Sequence, residues 1–499
     1  MSEAWEKLLP HLREMVDLAS AIKLMSWDQA TFMPPKGAPA RARSMATLES
    51  IAHQRLIDSE VGDLLEQLQS DGSLDQDQAA SVRILKRDRD RATKIPTELV
   101  HELAELRGTA YQAWTEARPA SDFDLLAPHL ERMVRLKKEE ADALGWKSER
   151  YDALLDEFEP EMKTAEVETM FGELSEGLRP LLEKIVGVSS DRPDFLSDSY
   201  DPSSQEAFCR WLVEILNFDT KRGRLDTSPH PFTMSVGAGD VRQTTRAEAS
   251  ALMTSIFATI HETGHALYEQ GIPTSLADLP VGRAPSLGMH ESQSRLWENL
   301  VGRSRAFTEF LLPQLKERFP TQLGIVSPDD FYKAANRVEQ TPIRVTADEI
   351  TYNLHLMLRF ELELAIFREE LDVSDLPNAW DAAMEKHLGI RPDSDANGVL
   401  QDMHWSIGIQ GYFPTYTLGT IYSAAFFAKA SEELGDLDDE LRVGDSSRLL
   451  DWLRDNIYSQ GYRYPAAELA ERVLGERVTV GPLLAHLRQK YSQLYQITL

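Results

Sequence analysis

The sequence predicts a mostly α-helical protein, a single large helical body with a small β-hairpin beside one candidate metal site. Three observations carry that expectation. Long segments repeat apolar residues every three or four positions with charged residues between them. Only one stretch alternates with a period of two. No Gly/Ser linker, internal repeat, low-complexity tract or break in composition divides the 499 residues, so one domain over residues 1–499 is expected although the length alone allows more.

Taken in chain order, Glu98 to Ala117, Phe123 to Leu144 and Thr164 to Ile185 show the helical spacing. From Pro231 to Thr244 the pattern changes. Phe232, Met234 and Val236 alternate with small or polar residues, and Gly237 and Gly239 turn the chain before Val241, which reads as a short hairpin. Thr245-Arg246-Ala247-Glu248 then reads as a capping box opening a helix of about 25 residues. Ile256, Phe257, Ile260 and Leu267 keep its period, and Gly271 with Pro273 stops it. A further helix is expected through Trp297 and Val301, and another over Thr346 to Leu371, where Thr346-Ala347-Asp348-Glu349 resembles a second capping box. Turn residues concentrate in Gly187 to Ser204, Pro229 to Asp240, Gly271 to Gly288 and Gly389 to Gly398, each short enough to be a loop.

The chemistry is concentrated in His261-Glu262-Thr263-Gly264-His265. Residues four apart share one helix face, so both imidazoles can reach one ion, and Glu262 stands where it can take a proton from water. Gly264 costs about 1 kcal/mol in a helix interior relative to Ala, which implies a neighbour that needs the missing side chain. A catalytic zinc site takes three protein ligands and leaves a fourth position open. Glu291, in Met289-His290-Glu291-Ser292-Gln293, is the leading candidate for the third ligand, across a loop with three prolines that allows a reversal; its neighbour His290 is a rival on chemistry alone.

Two arginines lie just outside helix starts, Arg242 in Asp240-Val241-Arg242 and Arg344 in Ile343-Arg344-Val345. A guanidinium binds a carboxylate bidentately, as a C-terminal exopeptidase requires, but a single arginine taken alone more often pairs with a nearby acid, here Asp240 or Asp348. Gly398-Val399-Leu400-Gln401-Asp402-Met403-His404-Trp405 gathers amide, acid, imidazole and indole. Taken alone it reads as a hydrogen-bonded helix start with a satisfied core histidine. Tyr412 and Tyr416 follow as phenolic donors that, in isolation, read as packing residues.

In their order, DVRQT, HETGH, HESQ, IRVTAD, GVLQDMHW and YTL resemble the carboxypeptidase Taq family of metallocarboxypeptidases. Trp27 to Ala38 with Arg41-Ala42, and Tyr151 to Asp156, are similar to further segments of that family, whereas the chain after about Ala430 matches no motif. The resemblance implies His261, His265 and Glu291 as metal ligands and Glu262 as general acid and base. It also implies that His404 and Tyr416 face the reacting carbonyl, and that Arg242 and Arg344, with Tyr412, lie near the substrate. It implies a helical body split by a deep cleft with a small sheet at the site, one zinc ion per subunit with cobalt as a substitute, peptide substrates with a free C-terminus, and a homodimer.

Composition bounds the partners. A net charge of −28 argues against a nucleic-acid backbone as ligand. A lone cysteine, Cys209, excludes an intramolecular disulfide and suits a reducing compartment. No signal-like start and no apolar run of about 18 residues points to secretion or membrane spanning, so a cytoplasmic location is expected. The expected reaction is release of single residues from peptide C-termini. The alternatives are an oligopeptidase using the same metal machinery to cleave internally or release dipeptides, and a non-catalytic helical peptide- or metal-binding protein, against which the intact Glu262 argues.

Overall fold

Helices account for most of the chain in the computed structural model, which describes residues 2–188 and 193–498. Among the described residues, β structure is confined to three short strands, β1 (Gly223–Thr227), β2 (Thr233–Gly237) and β3 (Asp240–Thr245). The first three segments with helical spacing fold as Thr97–Ala120, Ala127–Leu144 after one 3₁₀ turn, and Thr164–Val186. Buried apolar side chains from Leu99 to Leu494 form one continuous cluster that includes Ile256, Phe257, Ile260 and Leu267 of the helix Leu252–Gly271. Each such side chain contributes about 1.5–3 kcal/mol by leaving water, which fixes that helix in the interior. A smaller cluster joins Trp5, Leu8 and Leu12 to Val61, Leu64, Leu68 and Leu85, packing the helices Glu3–Thr31, Ser59–Gln69 and Gln76–Lys94 on one another.

The strand order is β1-β3-β2, with β3 parallel to β1 and antiparallel to β2. The β2–β3 hairpin matches the alternation in sequence. β1 does not announce itself, because Gly-Arg-Leu-Asp-Thr offers one apolar residue and no period. Side chains alternate across a strand, which sorts the sheet into two faces. On one face Gln243 and Thr245 meet Thr263 and Thr259 of the helix Leu252–Gly271, and Thr233, the register partner of Gln243, reaches Glu262. On the other, Arg242 and its register partner Arg224 stack on Trp27 of the first helix, at 4.3 and 5.1 Å.

Both expected capping boxes are overturned. Thr245 ends β3 opposite Thr227, and its hydroxyl bonds to Thr259 at 2.7 Å, while Glu248 pairs with Arg246. The helix begins only at Leu252, with no side-chain cap, and is 20 residues long. Further on, Arg344–Thr346 forms a 3₁₀ turn, and the carboxylate of Asp348 accepts the N–H groups of Ile350 and Thr351, so that helix runs Thr351–Phe367. Thr346 is displaced as cap because the turn carries its hydroxyl back to the carbonyl of Ile343.

Candidate active site

His261, Glu262 and His265 sit mid-helix, where backbone geometry is rigid. The chain reverses through Pro273, Pro280 and Pro285 into the helix Leu287–Arg295, whose first turn is capped by the Ser286 hydroxyl and which carries Glu291. The two helices touch at Gly264: a Cβ there would stand 2.6 Å from the carbonyl oxygen of Gln293. On the opposite side the helix Pro414–Leu434 closes in at Gly419, where a Cβ would stand 2.7 Å from Cβ of Glu291. Two glycines thus seat the Glu291 segment between two helices.

One donor atom each from His261, His265 and Glu291 lies within 4.8 Å of the others. Oε2 of Glu291 is 3.6 Å from Nε2 of His261 and 3.3 Å from Nε2 of His265. Two ligands each about 2.1 Å from a tetrahedral ion stand about 3.4 Å apart, so the spacing fits such an ion, and two imidazoles with one carboxylate fit the donor set of a catalytic zinc site. His290 takes no part. Its Nε2 bonds to Glu269 at 2.9 Å, and its ring stacks on His265 at 4.5 Å.

The surrounding charges prepare these candidate ligands. Nδ1 of His261 meets Glu298 at 3.0 Å, fixing the ring so that Nε2 faces Glu291. Arg295 donates to the other oxygen of Glu291 at 2.7 Å and also approaches Glu298. Burial works against an ionised Glu291, but Arg295 and His261 outweigh it and hold the carboxyl well below its usual range. Glu298 is likewise brought to about 2 against burial, by His261, Arg303 and Arg295. Burial lowers His265 to about 3, so its imidazole is neutral and has a lone pair to offer. Glu262 differs. Burial raises its pKa, and Thr233 donates to Oε2 at 2.8 Å, which leaves a basic carboxylate oriented by one bond.

Opposite stands a wall of polar groups from other parts of the chain. Residues 398–413 are turns rather than a helix start, and the following helix begins at Pro414. Arg344, 5 % exposed, donates Nε and Nη2 to Asp402, and Arg359, wholly buried, shares the same carboxylate at 2.6 Å. Burial lowers His404 to about 4, so it is a neutral imidazole at pH 7. Its buried Nδ1 has no hydrogen-bond partner, contrary to the reading of a satisfied core histidine. Tyr412 and Tyr416 pack edge-to-face at 5.2 Å beside it. Tyr416 lies one turn before Gly419, and hence one turn from Glu291. Tyr352 links this wall to the candidate ligands, since Arg295 stacks on its ring at 4.1 Å and Tyr416 packs edge-to-face against it at 6.2 Å.

Known proteins add an independent line. The profile of the carboxypeptidase Taq (M32) metallopeptidase family matches residues 7–491. The chain belongs to that family. It is 45% identical over 506 residues to thermostable carboxypeptidase 1 of Thermus thermophilus, covering 99% of both chains, and 36% identical over 487 residues to carboxypeptidase 1 of Bacillus subtilis, covering 97% of both. The structure superposes on an M32 carboxypeptidase from Deinococcus radiodurans with a TM-score of 0.97 at 40% identity, covering 99% of this chain and 100% of that one. This M32 chain is accordingly a metallocarboxypeptidase, as its motifs led one to expect.

Of the expected site residues in this M32 enzyme, the structure gathers His261, Glu262, His265 and Glu291 on two touching helices, and Arg344, His404, Tyr412 and Tyr416 on the facing wall. Arg242 stands apart. It lies on the sheet face turned away from the metal helix, paired with Asp240 at 2.7 Å and stacked on Trp27. Arg344 pairs with Asp402, not with the Asp348 suggested by sequence. Sequence reasoning passed over Arg295 and Glu298, although they follow Glu291 by four and seven positions and so share its helix face. Asp402 stands out in the sequence as the acid of its run but without its partners, and Arg359 and Tyr352 carried no comparable local signal, because these groups meet only in the folded chain.

Proposed function

We propose that this metallocarboxypeptidase releases single residues from peptide C-termini, with His261, His265 and Glu291 holding one divalent ion, zinc by preference and cobalt as a substitute. When bound, the ion supplies Lewis acidity, polarising the scissile carbonyl and making water acidic enough to act as a nucleophile near neutral pH. Glu262 takes the proton from the attacking water, and its raised pKa suits both that step and return of the proton to the departing amine. His404, neutral at working pH, and Tyr416 donate hydrogen bonds to the oxygen that gains charge, each contributing roughly 3 kcal/mol if well aligned. The unpaired edge of β2, beside Glu262, offers backbone groups to an extended substrate.

One observation carries the exopeptidase reading. Two buried guanidiniums, Arg344 and Arg359, share one carboxylate, Asp402, beside His404 and Tyr416, which leaves one positive charge uncompensated at the far wall of the site. A substrate's terminal carboxylate neutralises it. Nε and Nη2 of Arg344 are committed to Asp402, and Nη1 remains, facing the Tyr352 hydroxyl at 3.4 Å. Arg344 is thus favoured over Arg242 as the carboxylate anchor. Operation as a homodimer and a cytoplasmic location belong to the same proposal, the latter supported by the lone buried Cys209. Among the described residues no helix is long and apolar enough to cross a membrane.

The test compares a peptide with its C-terminally amidated copy, using the wild-type enzyme and Arg344→Ala. The free acid should be cleaved and the amide left intact. Arg344→Ala should lower kcat/KM for the acid about 30- to 100-fold, the value of a charge-assisted hydrogen bond. Equal cleavage of acid and amide by the wild type would move the assignment to an oligopeptidase.

A further inference from the structure

The segment 398–413, which brings His404 and Tyr412 to the site, has no helix or strand of its own to hold it. Trp114 and Arg344 bond to its first residues, at Leu400, Gln401 and Asp402, and one buried helix grips it from Asp402 to Gly411. Along Thr351–Phe367, Tyr352, His355, Arg359 and Glu363 are spaced by three, four and four residues and so form a polar stripe along one face of the helix. Arg359 grips Asp402, two residues before His404. Glu363, 1 % exposed, binds the loop at two further points: its carboxylate accepts the indole N–H of Trp405 at 2.7 Å and the backbone N–H of Gly411 at 3.1 Å. A third donor, the hydroxyl of Tyr151, reaches the same carboxylate at 2.5 Å from a different helix.

We infer that Glu363 is a positioning residue for catalysis, a buried carboxylate that ties the residue after His404 to the residue before Tyr412 and so sets where both donors point. The inference rests on the proposed role of His404 and on the expected place of Tyr412 near the substrate. Its chemistry is restrictive. Three N–H and O–H donors converge on two acceptor oxygens, and a glutamine there has one acceptor oxygen and an NH₂ group, so at least one loop donor faces another donor and is left unpaired. Freed at one end, the loop relaxes, and displacement of a catalytic group by about 1 Å can lower a rate about a hundredfold. Tyr151 bonds to Glu363 but to neither loop donor, which separates buried stability from positioning.

The experiment measures kcat, KM, bound metal and Tm for the wild type, Glu363→Gln, Tyr151→Phe and His404→Phe on one peptide, well below the lowest Tm. Glu363→Gln should lower kcat at least about tenfold with KM and metal content unchanged, and Tyr151→Phe should lower Tm while leaving kcat within twofold. Glu363→Gln with a kcat within twofold of wild type, or an equal loss of kcat in both variants, would overturn the inference. His404→Phe distinguishes the layers: if it too retains full kcat, the proposed role of His404 fails, whereas a dead His404→Phe beside an active Glu363→Gln defeats only the role of Glu363.

Discussion

Gly264→Ala probes how closely the two helices that carry the proposed ligands must approach. A methyl group at that position stands 2.6 Å from the carbonyl oxygen of Gln293 and 2.7 Å from Cα of Ser294, both backbone atoms of the helix that carries Glu291. Ordinary contact begins at 3.4 Å, so that helix must retreat by about 0.8 Å or distort. Alanine gains about 1 kcal/mol in helix propensity and overpacking costs about 1–3 kcal/mol, so the net loss of fold stability is about 0–2 kcal/mol. The metal site feels more. Its donors now stand 3.3 and 3.6 Å apart, and a site of this kind must be held to about 0.5 Å, less than the retreat. Metal affinity should fall at least about tenfold, about 1.4 kcal/mol, measured by competition with a chromophoric chelator, while the metal-free protein melts within a few degrees of wild type. Gly108→Ala, where no atom lies within 4 Å of the added Cβ, is the control and should raise stability by up to about 1 kcal/mol. Undiminished metal affinity in Gly264→Ala would refute the argument that backbone approach sets the ligand spacing.

Other perturbations test the surroundings of the site. Glu298→Gln keeps the shape but weakens the partner of Nδ1 on His261, so metal affinity should fall about 10- to 100-fold in the same chelator competition; an unchanged value would remove Glu298 from the account. Glu159 is buried beside the N-terminus of the Glu291 helix, where it accepts the N–H of Gly288, and burial raises it to about 8. Its folded pKa lies above its unfolded one, so its contribution to stability is complete below about pH 4.5 and is lost as pH rises through about 8. The Tm of the wild type relative to Glu159→Gln should therefore fall between pH 6 and pH 9.5, and a flat difference would contradict the buried assignment.

Where a side chain's role depends on its own helix face, the sequence made it legible. His261 and His265 share a face by spacing alone, and the interior glycine between them signalled the close neighbour found at Gln293. Helix starts were misjudged where a tertiary partner won. Thr245 was taken by β3 and Thr259, and Thr346 by the 3₁₀ turn that Asp348 follows as cap. β1 escaped notice because parallel pairing with β3 is a long-range event that five residues with one apolar side chain cannot encode locally. Arg359 and Glu363 were silent for the same reason: each looks like an ordinary charged residue until the helix Thr351–Phe367 buries against the loop that holds His404.

The most direct measurement follows an N-terminally blocked peptide by mass spectrometry with metal-loaded enzyme, with chelated enzyme, and with metal-loaded Glu262→Gln. The account predicts a ladder of single C-terminal losses from the metal-loaded wild type only, and full metal binding without turnover in Glu262→Gln. Internal fragments, a ladder that survives chelation, or a Glu262→Gln variant that keeps most of its turnover would contradict it.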